Sequence, residues 1–151
     1  MSSYLPTITG EIYMLPIIIG VVLAVVMAFL ARVTNFDRDR SYYAVVLIVI
    51  ATYYVLFACI ANEAIIPEII VASIFSIIAI AGALRWPILL GLGIFMHGVF
   101  DLLHGYLITN AGVPVWWPAF CASIDIVLGT WVIYCAITKK AAPMSLATPS
   151  E

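Results

Sequence analysis

Apolar and polar positions alternate in long blocks along this chain. Five apolar stretches, about 12–31, 42–60, 67–84, 87–108 and 116–137, are separated by short polar connections. Each is close to the roughly 20 residues that carry a helix across a 30 Å hydrocarbon core. Unbroken apolar runs of this length predict helices, because backbone polar groups in lipid must be satisfied within the segment. The expected fold is therefore all-α, a polytopic bundle of five transmembrane helices. Residues 1–10 are polar and turn-prone, and read as a short arm outside the membrane. Residues 1–138 form a single transmembrane domain, and 139–151 a polar cytoplasmic tail without fixed structure. Gly20, Ala24 and Ala28 recur every four residues and offer a neighbouring helix a groove. Gly91, Gly93 and Gly98 follow no strand and read as close-packing positions rather than a nucleotide-binding loop.

Composition agrees: of 151 residues, 66% are hydrophobic and 9% charged, far from the roughly one quarter charged of a soluble domain. A net charge of -2 with no basic run excludes a nucleic-acid partner. Every basic residue lies at one end of the predicted bundle. Arg32, Arg38 and Arg40 follow the first span, Arg85 the third, and Lys139 and Lys140 the fifth. The positive-inside rule then predicts an outside N-terminus and a cytoplasmic C-terminus, in a plasma (inner) membrane. Cys59, Cys121 and Cys135 form no CxxC pair and read as packing residues, with Cys121 one turn from Asp125.

The chemistry concentrates in 97–104, which holds both histidines of the chain. His97, Asp101 and His104 are four and three residues apart, so one helical face carries all three. Ionisable groups are expensive in hydrocarbon and mark function by default. At 1.5 Å rise per residue, Asp101 lies roughly 10 Å below the outer end of its helix, and Asp125 about 12 Å below the same surface on the next. Glu68 stands near the outer mouth of the third helix. These groups predict a polar, outward-facing pocket with His97, Asp101, His104, Asp125 and Glu68 as candidate ligands of a divalent transition metal (zinc, iron or copper). The two histidines are about 10.5 Å apart along the axis, so they need not share one ion.

Trp117-Pro118-Ala119-Phe120, ahead of Asp125, resembles the last motif of lipoprotein signal peptidase, a family with paired aspartates on successive helices near the outer surface. Cys121 stands where that family has asparagine, and Leu102 follows Asp101 where it has arginine. The alkaline ceramidase and adiponectin-receptor group is similar in placing His and Asp zinc ligands inside a helical bundle, but draws its histidines from separate helices of seven. Two functions fit the residues. One is metal-assisted chemistry on a lipid or other apolar substrate arriving from the bilayer, with Asp101 and Asp125 as catalytic acid–base groups. The other is a non-catalytic subunit of a membrane complex, or a homo-oligomer, in which the cluster packs helices or binds a proton or ion.

Overall fold

The computed structural model describes residues 5–141, with side chains described over 14–138. Five helices follow in order: α1 (Leu5–Val33), α2 (Arg40–Ala61), α3 (Ile65–Leu84), α4 (Ile88–Leu107) and α5 (Trp117–Ala141). A 3-10 turn at Phe36–Arg38 links α1 to α2, and no strand occurs among the described residues. All five helices are long and apolar enough to cross a membrane, so the molecule is a membrane-spanning helical bundle.

Local signals set the ends. Asp39 caps α2 by accepting a hydrogen bond from the Ser41 backbone N–H at 2.8 Å. Asn62 closes α2 in the left-handed conformation at φ 56°, a role that asparagine tolerates. Pro67 falls in the first turn of α3, where its missing N–H has no helical partner to lose. At the termini the helices run beyond the spans read from sequence. α1 begins at Leu5, so 5–10 belong to a helix rather than an arm, and α5 continues to Ala141. Adding turns to a formed helix is propagation, which needs no apolar pattern of its own. The rest of the expected tail, 142–151, lies outside the described residues.

Within the bundle α5 is flanked by α1 and α4, α2 pairs with α3, and α4 joins the two sets. Small residues govern these seams. A Cβ at Gly20 would strike Ser123 and the Phe120 carbonyl, so the groove expected on α1 receives α5. Between α4 and α5 the approach is backbone to backbone: a Cβ at Gly129 would meet the Phe95 nitrogen at 2.5 Å, and one at Gly91 the Ile133 nitrogen at 2.7 Å. Leu47, Leu90, Ile94 and Leu128 fill the centre with at most 2% exposure. Ile66, Ile77, Leu84 and many similar side chains face outward. That is the distribution of a chain whose surroundings are apolar.

Candidate metal centre

The close α4–α5 seam carries the ionisable residues. Gly98 stands against Asp125, where an added Cβ would lie 2.9 Å from the Asp125 Cβ. Only a residue without a side chain lets α5 come near enough for Asp125 to meet His97. The His97 Nδ1–Asp125 Oδ2 distance is 2.8 Å, a hydrogen bond between the two helices. Asp101, one turn along α4, brings its Oδ2 to 3.6 Å from the same nitrogen. Ligand atoms of His97, Asp101 and Asp125 all lie within 4.8 Å of one another. Each residue is 1% exposed.

Two carboxylates thus face one imidazole nitrogen in the interior of a membrane bundle. Even with a protonated imidazole, the fully ionised group carries one uncompensated negative charge. The basic residues of the chain, at 32, 38, 40, 85, 139 and 140, include none on the spanning part of α4 or α5. Hydrogen bonding is incomplete as well. Both oxygens of Asp101, Asp125 Oδ1 and His97 Nε2 are buried without a hydrogen-bond partner among the described residues. An unsatisfied buried polar group costs about 1–3 kcal/mol, and more when charged. The donor set, one imidazole and two carboxylates, can hold a metal ion.

A second polar group lies toward the Ala61 end of α2. Glu68 in the first turn of α3 and His104 in the last turn of α4 meet at 2.7 Å between Oε1 and Nε2. The Asn110 side-chain amide donates to Glu68 Oε1 at 2.9 Å and to the Tyr54 carbonyl at 3.2 Å. One carboxylate here faces one imidazole, so charge balances within the pair. The Tyr54 ring stacks on His104 at 4.0 Å with planes 22° apart.

Aromatic rings enclose the three-residue group. Phe75 meets His97 edge-on at 4.8 Å, with Phe100 at 6.0 Å and Tyr54 at 6.2 Å. The cluster is therefore closed, where an open pocket was expected, because α2 and α3 contribute rings over a face that α4 and α5 alone would leave bare. A groove of about 670 Å³ runs between α1, α2 and α5, lined by apolar side chains from Leu23 and Val46 to Trp117, and reaches buried Cys121.

The predicted ligand set divides between these two groups. His97, Asp101 and Asp125 come together; Glu68 and His104 pair separately, and Asp101 turns to His97 rather than His104. Cys121 is outside the three-residue group. Sequence reasoning missed Tyr54 and Asn110. Tyr54 sits in an apolar run that marks no face, and Asn110 is a turn residue whose inward amide only its loop position decides. The Glu68–His104 pairing did leave a signal, since each is about one turn from the same end of the bundle.

No protein-family model, curated protein or solved structure matches this chain.

Proposed function

We propose that the protein binds one divalent transition metal through His97 Nδ1 and the carboxylates of Asp101 and Asp125, and uses it on a lipid or other apolar molecule from the bilayer. The observation that carries this reading is charge: two buried carboxylates face one imidazole, with three carboxylate oxygens unpartnered among the described residues. A divalent cation neutralises that excess and takes one oxygen from each carboxylate. The separations of 2.8 and 3.6 Å around Nδ1 are near those between adjacent ligands about 2.0–2.2 Å from a metal. Binding displaces the Nδ1 proton, since a ligating imidazole must be neutral. Three protein ligands leave a fourth position for water or a substrate oxygen, where a metal acts as a Lewis acid.

The apolar substrate class draws support from the groove that reaches Cys121, one turn from Asp125 on α5. Its lining suits an acyl or isoprenoid chain. We place the arginine-bearing end of the bundle on the cytoplasmic side by the positive-inside rule.

Elemental analysis of the protein purified without chelator tests the reading. The expected result is one metal per chain, lost in Asp101→Asn and Asp125→Asn. A second reading has its own observation, the 2.8 Å His97–Asp125 bond that ties α4 to α5. There the cluster holds a shared proton and fastens helices, as in a non-catalytic subunit of a membrane complex. Metal-free wild type, melting like a metal-supplemented sample, would favour that second reading.

A further inference from the structure

At the end of the bundle away from Glu68, a cavity of about 890 Å³ opens between the start of α2, the α3–α4 turn and the last turns of α5. Arg38 and Arg40 reach it from one segment and Arg85 from another. All three are exposed, and none forms a hydrogen bond or ion pair among the described side chains. Asp37, the one acid lining the cavity among the described residues, is already engaged by Arg32 at 2.8 Å. Tyr43 stands at the wall, 4% exposed, with a hydroxyl that has no hydrogen-bond partner among the described residues. Leu90 and Val132 form an apolar floor, and the exposed Trp86 and Ile137 lie at the rim.

We infer that this cavity binds the phosphate headgroup of an anionic phospholipid, with Arg38, Arg40 and Arg85 holding the phosphate and the acyl chains lying along the floor. Guanidinium forks match phosphate oxygens, and three arginines line this one cavity, where the one described acid, Asp37, already holds Arg32. A buried phenol hydroxyl adds a neutral donor. Tryptophan at the rim suits the headgroup depth of a bilayer. Basic pockets between spanning helices recognise anionic headgroups in this way. The apolar floor selects a lipid over a free phosphate, because a free ion leaves that surface uncovered. This site is independent of the metal reading and shares no residue with it.

Native mass spectrometry and thermal melting of the full chain in neutral detergent, with phosphatidylglycerol, phosphatidylcholine or inorganic phosphate added, test the inference. Phosphatidylglycerol is expected to remain bound and raise the melting temperature, while phosphatidylcholine does neither. In the triple variant R38Q/R40Q/R85Q, phosphatidylglycerol affinity is expected to fall on the order of 100-fold, each charge near the surface contributing about 5-fold. If the triple variant does not fold, Arg85→Gln alone carries the test, with about a 5-fold loss expected. Equal retention of the two lipids would overturn the proposal, as would unchanged phosphatidylglycerol affinity in a folded variant. Stabilisation by inorganic phosphate equal to that by the lipid would overturn the lipid as occupant.

Discussion

The two histidines share one helix and one face, yet their surroundings differ in charge. His104 has a single carboxylate partner, Glu68, whose bonded oxygen also accepts from Asn110. His97 has two carboxylates at the same nitrogen and several oxygens unmatched. The first arrangement sets one carboxylate against one imidazole across α3 and α4, and Glu68 Oε2 alone of the pair lacks a hydrogen-bond partner among the described residues. The second leaves negative charge and lone pairs in a place where both are costly. A buried group with one carboxylate per imidazole needs no counter-ion, and one with a carboxylate in excess points to a cation. The difference lies in one residue: α5 delivers Asp125 to His97, and nothing equivalent reaches His104.

Substitutions that break the contrast have different signatures at the two groups. The largest effect is expected from Asp101→Ala, which removes a proposed ligand. Metal affinity should fall by more than the roughly 100-fold typical of losing an outer partner of a ligand. Equilibrium dialysis against zinc or iron would measure this, and unchanged affinity would remove Asp101 from the site. Glu68→Ala should act on stability instead. It leaves His104 and Asn110 buried without their shared acceptor, at a cost of about 3 kcal/mol. Thermal melting in detergent should drop while metal content stays at the wild-type level. Loss of metal in that variant would merge the two groups into one.

Gly98→Ala sharpens the comparison without removing a polar atom. Its methyl group would press on the Asp125 Cβ from 2.9 Å, and displacing that carboxylate should weaken metal binding about 10-fold. Gly105→Ala, on the same helix with no atom within 4 Å of an added Cβ, should bind metal as the wild type does. The smallest effect is expected from Tyr54→Leu, which removes the ring stacked on His104. A loss of about 0.5–1.5 kcal/mol is expected in melting experiments, and an unchanged melting temperature would remove that ring from the account.

Helix count, helix order and the level of Asp101 and Asp125 along their helices were legible in the sequence, because hydropathy and a fixed rise per residue determine them. That arithmetic brought Asp101 and Asp125 to one level, and the structure joins them with His97. Rotation and lateral placement of helices were not legible. Depth alone could not tell whether Glu68 would face His104 or lipid, since that depends on α3 lying beside α4. Nor could it place Tyr54 and Phe75 over the histidines, because every face of α2 and α3 reads as apolar. The closed character of the cluster follows from those rings, and so it too emerged only in three dimensions.

The most direct test of the account is the metal content of two single variants, His97→Ala and His104→Ala, purified and analysed beside the wild type. The account predicts one metal per chain in the wild type and in His104→Ala, and none in His97→Ala. Loss of metal from both variants, or from His104→Ala alone, would contradict the division of labour between the two histidines.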